Sequence, residues 1–168
     1  ISVQLFRGFF LFLSTVFFFY AISVISLAQA LTLAFVSPII VTILSIFYLK
    51  EKVGIHRWSA VIIGFIGVLI IIRPGFLEIN FASISAIGAG TAYAFYIIYT
   101  RKLSFIDSPV VTLLFTGVVG CILISIILPY YWTNIDLRQL LLLILLASIG
   151  AVAHFLIILS FRLGEASK

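Results

Sequence analysis

The sequence predicts an all-α membrane protein with six transmembrane helices, and three observations predict it. Hydrophobic residues make up 64% of the chain and charged residues only 9%, whereas a soluble domain keeps about a quarter of its residues charged. Most of the surface therefore has to face lipid. The apolar residues gather into six long runs joined by short polar links, each close to the ~20 residues that cross a bilayer as a helix. Finally, the runs lack an alternation of period two and are too long for tilted strands, which argues against a barrel.

The first run covers residues 8–27, with Arg7 in the link before it. The second covers 29–49. The link around Ser26 and Gln29 is so short that these two helices have to be antiparallel neighbours. Ser37 and Pro38 fall in the middle of the second run. A proline there removes one backbone donor and clashes with the carbonyl four residues back, that of Ala34. In lipid such a carbonyl needs water, a side chain or a solute to bond it, so Pro38 reads either as a structural kink or as part of a midplane site. Thr32, Ser37, Thr42 and Ser45 add hydroxyls to the same run.

The third run, 58–72, follows a knot of charge formed by Lys50, Glu51, Lys52 and Arg57. It is short, uncharged, and ends at Arg73-Pro74-Gly75. Ala60 and Gly64 give it a small-residue face for packing. The fourth run, 81–100, is rich in small residues, and Ala86, Gly90 and Ala94 repeat every four as a smooth stripe. Such stripes let helix backbones approach closely in lipid. Tyr93, Tyr96 and Tyr99 sit on the same helix. Tyr99 lies near the interface as an anchor, whereas Tyr93 and Tyr96 either stack on a flat or cationic solute or hydrogen-bond a neighbour.

The fifth run is 109–131 and holds the chain's one cysteine, Cys121. A single cysteine excludes an internal disulfide and a thiolate metal site, so it reads as a small apolar packing residue. The sixth run is 140–163, with His154 well inside it. An ionisable group at that depth is a functional candidate, and histidine titrates near neutral pH. The alternative is a neutral imidazole bonded to a neighbouring helix.

Charge sets the orientation. One side receives Arg7, Lys50, Lys52, Arg57, Arg101, Lys102, Arg162 and Lys168, and the other only Arg73 and Arg138. The rule that basic loops stay inside then places both ends of the segment in the cytoplasm. Trp58, Tyr130, Tyr131 and Trp132 fall at interfaces, where aromatic belts belong. The net charge of +5 does not point to nucleic acid, because the basic residues lie in short loops rather than on one polar face.

None of Glu51, Glu78, Asp107, Asp136 and Glu165 lies deep in a run, so the chain offers no buried carboxylate of the kind that cation–proton exchange uses. It has no phosphate loop, dinucleotide fingerprint, HExxH or nucleophile elbow. An enzyme is not expected, nor a cofactor or metal. The chain has no Met and begins with Ile1, which reads as a piece of something longer; its first residues do not read as a signal peptide.

Residues 30–75, ALTLAFVSPIIVTILSIFYLKEKVGIHRWSAVIIGFIGVLIIIRPG, resemble the EamA family of the drug/metabolite transporter superfamily. The resemblance rests on Ser37-Pro38 within a helix, Leu49-Lys50-Glu51 before a basic loop, Arg57-Trp58 opening the next helix, and GFIGVLIIIRPG at its end. Arg7 matches an arginine that commonly starts the preceding helix of the family. Residues 88–103 look like the opening helix of the family's second half, and 147–167 like that half's third helix. The resemblance implies a ten-helix transporter of two inverted five-helix repeats. Residues 1–75 would then be the last three helices of the first repeat and 76–168 the first three of the second. It further implies movement of a small solute across the inner membrane by alternating access, with S-adenosylmethionine, riboflavin or an amino acid-like metabolite as the solute class. On this reading the solute path is lined by Tyr20, Thr32, Ser37, Pro38, Tyr93, Tyr96 and His154. Pro38 opens the backbone, the hydroxyls bond the solute, the tyrosines stack on it, and His154 orients it or carries a proton. The rival reading is a non-transporting membrane subunit or scaffold, or a truncated paralogue.

Overall fold

A computed structural model describes residues 1–50, 53–72 and 80–163, apart from the side chains of residues 57, 71, 72 and 163. Glu51, Lys52, the Arg73-Pro74-Gly75 terminator, Glu78, Glu165 and Lys168 lie outside the described residues, as does the side chain of Arg57.

Every regular element among the described residues is helical: α1 (Ser2–Val24), α2 (Leu27–Ala34), α3 (Ser37–Tyr48), α4 (Ile55–Ile72), α5 (Phe81–Ser104), α6 (Pro109–Ile127) and α7 (Leu137–Leu163), with a 3₁₀ turn at Leu128–Tyr130 closing α6. The stretches Ser2–Val24, Leu27–Tyr48, Phe81–Ser104, Pro109–Tyr130 and Leu137–Arg162 are long and apolar enough to cross a membrane, and Trp58–Ile70 is a shorter apolar helix. The six expected runs are therefore present as helical stretches.

Local chemistry explains where they begin. Ser26 caps α2 with a full capping box: its hydroxyl accepts from Gln29 N (3.3 Å) and its own N–H donates to Gln29 Oε1 (3.2 Å). That reciprocal pair satisfies two otherwise orphaned donors and lets the chain reverse within two residues of the end of α1. Asn80 caps α5 through Ser83 N (2.9 Å), and Ser108 caps α6 through Val111 N (3.3 Å), with Pro109 in the first turn.

The second run corrects one expectation. It is broken, but at Phe35–Val36 rather than at Pro38. Pro38 occupies the first turn of α3, where its missing N–H forgoes no intrahelical bond and its fixed φ suits the helix. The break therefore precedes the proline instead of bending around it.

The chain divides into two compact units. One, Phe9–Ile98, contains most of α1 with α2 to α4 and most of α5. Its core joins Ala21, Ala30 and Ala86, packed round by Phe18, Ile22, Ile25 and Leu33. Along its α1–α5 seam, Ser14 Oγ donates to Ala89 O (2.9 Å), Ser85 Oγ donates to Phe17 O (3.2 Å), and Phe10 stacks on Phe95 at 5.0 Å. The Ala86–Gly90–Ala94 stripe is buried as expected. The Ala60 and Gly64 face of α4 is not: both residues are exposed, and a Cβ built on Gly64 would meet nothing within 4 Å. The expectation of a packed stripe there is corrected.

The other unit comprises Ile1–Gly8 and the chain from Tyr99 onward. The helices α6 and α7 pack on each other within it. Leu137 to Ile149 on α7 are exposed throughout. An apolar surface of that extent marks contact with lipid or further protein, not water. Cys121 is exposed on α6, so it is not the packing residue expected.

Candidate functional site

Among the described residues, two places combine polar groups with unusual backbone or burial. The first lies at the broken second run. A cleft of about 550 Å³ opens between the α2–α3 junction and α4. Thr32, Phe35 and Pro38 line one wall, and Ala60, Gly64, Phe65 and Gly67 line the other. The small residues of α4 that pack against nothing are thus the ones that leave this space. Thr32 donates its hydroxyl to Ala28 O (2.5 Å), which leaves that oxygen able to act only as an acceptor. On the opposite flank, Gly90 of α5 brings its backbone against Ala34. A Cβ on Gly90 would collide with the Ala34 backbone, coming within 3.0 Å of its Cα. Ala34 O is the oxygen that Pro38 cannot bond, and the bare Cα–H of Gly90 points at it, a weak but recurrent helix–helix contact.

The second place was missed by sequence reasoning. Arg7 reads as a loop residue, yet it lies inside α1 and is fully buried. Its Nε donates to Gln4 Oε1 (3.2 Å) and its Nη1 to Thr100 Oγ1 (3.4 Å). Its Nη2 donates to Thr112 O and Thr116 Oγ1. Gln4, also buried, passes its amide on to Asp107 Oδ2 (2.7 Å) and Thr112 Oγ1 (3.3 Å). The next residue, Gly8, sits so close to α6 that a Cβ there would come within 2.7 Å of Val119 Cβ. The usable signal was the Gln4–Arg7 spacing of three, which puts both on one helix face, together with the threonines at 112 and 116, four apart on another.

The predicted site residues distribute as follows. Thr32 and Pro38 line the same cleft. Ser37, half-buried, neighbours Pro38 at the start of α3. Tyr93 and Tyr96 contact each other at 5.6 Å with rings tilted by 34°; Tyr96 is fully buried and Tyr93 partly so. Tyr20, exposed, meets the edge of Phe81 at 5.7 Å. His154, half-buried on α7, belongs to the other unit. Among the described residues no cluster of His, Cys, Asp and Glu suited to a metal ion occurs.

The chain is similar to known proteins along almost all of its length. The S-adenosylmethionine uptake transporter of Rickettsia bellii is 27% identical over 165 residues, covering 98% of this chain and 57% of that protein. The S-adenosylmethionine uptake transporter of Rickettsia conorii is 25% identical over 98% of this chain and 56% of its own length. The riboflavin transporter of Vibrio cholerae serotype O1 is 43% identical over 81 residues, covering 48% of this chain and 27% of that protein. The chain spans just over half the length of the S-adenosylmethionine transporters it matches. No solved structure matches it. The family model of the EamA-like transporter family matches residues 1–73. Its described elements are all helical and mostly apolar, which with these relatives marks a multi-pass membrane protein, similar over residues 1–73 to the EamA-like transporter family.

Proposed function

We propose that this protein moves a small organic solute across the inner membrane as a secondary transporter, by alternating access between two inverted repeats. Residues 1–75 and 76–168 contribute three helices to each repeat. Tyr20, Thr32, Ser37, Pro38, Tyr93, Tyr96 and His154 line the solute path, and the solute is of the S-adenosylmethionine, riboflavin or amino acid-like class. The observation that carries this reading is the broken second run, whose junction lines a cleft with Thr32 and Pro38. Discontinuous helices are where transporters expose backbone and hydroxyl groups to a solute within lipid. The names of the relatives support the solute class.

The test is uptake of labelled S-adenosylmethionine, riboflavin and amino acids by proteoliposomes carrying the complete protein. At least one solute is expected to accumulate above empty vesicles. Thr32→Val, Ser37→Ala, Tyr96→Phe and His154→Leu are each expected to lower that uptake several-fold while the protein stays folded. Full uptake by all of them removes the assigned path. No uptake of any solute by the parent protein supports the non-transporting subunit instead.

A further inference from the structure

We propose that the cleft at the α2–α3 break seats a flat nitrogen heteroaromatic ring, laid between Phe35 and Phe65 over the glycines of α4, with one of its N–H groups donating to Thr32 Oγ1. The inference rests on the transporter reading and deepens it by naming the part of the solute that this cleft takes. Thr32 is the only polar side chain among the described residues that line the cleft. A carboxylate, an ammonium or a sugar placed there would shed its water and find almost nothing in return. The occupant is therefore apolar over most of its surface. The space of about 550 Å³ falls in the roughly 300–1,000 Å³ range of small-molecule sites.

Acceptor, walls and floor together narrow that occupant to a ring. Thr32 is 6% exposed and gives its hydroxyl proton to Ala28 O, while no donor among the described residues reaches its oxygen. The lone pair that remains calls for a donor on the ligand. A lipid chain has none and would leave this buried acceptor unmet. The walls supply aromatic faces, since Phe35 and Phe65 come from opposite sides of the cleft and both stay exposed. Flat heteroaromatic rings stack on such faces whatever their exact substitution. The floor is bare backbone. A Cβ at Gly64 or Gly67 would meet nothing within 4 Å, so each glycine keeps open room that a side chain would fill, and a planar ring can approach the helix closely there. Of the solute classes proposed above, those with a fused nitrogen ring carry both a flat face and an N–H donor, whereas an aliphatic amino acid has no flat face to offer.

The experiment uses the complete protein purified in detergent. The probes are two bare rings, adenine and lumichrome, with ribitol and leucine as controls that have no ring. Binding is read by equilibrium dialysis against an empty-micelle blank, and uptake separately in proteoliposomes. At least one ring is expected to bind, and neither control. Gly64→Ala and Gly67→Ala each add a methyl where the fold has room, so each is expected to keep the parent's Tm or exceed it and yet to weaken ring binding several-fold. Thr32→Val keeps the shape and removes the acceptor. It is expected to weaken the ring about fivefold, the loss of one neutral hydrogen bond, while the fully N-methylated rings, with no N–H left, bind parent and variant alike. Binding of neither ring, or binding that both glycine variants leave unchanged, overturns the site; a cleft that lodges a lipid chain or another helix gives that result. Where a glycine variant does not fold, equal binding of the N–H rings by Thr32→Val overturns it as well. Ring binding without uptake of any solute defeats the transporter reading and leaves the ring site standing, whereas uptake without ring binding defeats the site alone.

Discussion

Gly90 and Lys50 are the residues at which the backbone asks most of a side chain. Gly90 faces Ala34 so closely that a Cβ would strike its backbone, which cannot rotate aside. Gly90→Ala is expected to destabilise the protein by about 1–3 kcal/mol, the usual cost of overpacking, and to lower the detergent-solubilised Tm. Lys50 adopts φ 53° just beyond α3, the left-handed region that costs a residue with a Cβ roughly 1 kcal/mol or more. Lys50→Gly is expected to raise Tm slightly without changing the fold. The stripe containing Gly90 was legible from its spacing of four, because helical periodicity is local. Its contact with Ala34 was not, and neither was the exposure of Ala60 and Gly64, whose spacing is the same. Spacing marks a face as smooth; only the neighbour that arrives or fails to arrive makes it a packed seam or the wall of a cleft.

At the scale of elements, the helices begin where side chains can cap them. Ser26 with Gln29 is a capping box, and Ser26→Ala is expected to cost about 1 kcal/mol, read as a lower Tm with helix content unchanged by circular dichroism. The second run shows what element reasoning gets wrong. A proline inside an apolar run reads as a kink at its own position, because the rule concerns the bond that proline removes. A chain can satisfy the same rule by ending one helix at Ala34 and starting another at Ser37, with the proline in the new first turn. Pro38→Ala is consequently expected to change stability by less than about 1 kcal/mol and leave Tm nearly unchanged, whereas a mid-helix proline removed from a strained kink would raise it. The same alanine is expected to reduce uptake, because Pro38 lines the cleft.

For the whole molecule, the composition predicts the solvent and the exposed helix faces agree with it, since α7 presents leucine and isoleucine along its first half. Orientation is a prediction at this scale. In a Cys121→Ser background, Thr133→Cys is expected to react with a membrane-impermeant maleimide in intact cells, and Lys102→Cys only after permeabilisation; the reverse pattern inverts the proposed topology. Length, apolarity and helix order could be read residue by residue, because transfer into lipid is a sum over side chains that needs no partner. The candidate site was legible only in part. Thr32 and Pro38 meet in one cleft, but the bounding wall on α4 depends on a helix beyond a charged loop. Arg7 was misplaced altogether. A lone cation at the edge of an apolar run looks like a loop residue, since burying it is costly, and the groups that offset that cost include Gln4 beside it and Thr100, Thr112 and Thr116 about a hundred residues away. Local pattern thus accounts for the helices and their solvent, while the buried arginine, the shifted break and the open glycine face came from contacts between distant residues, which no local periodicity records.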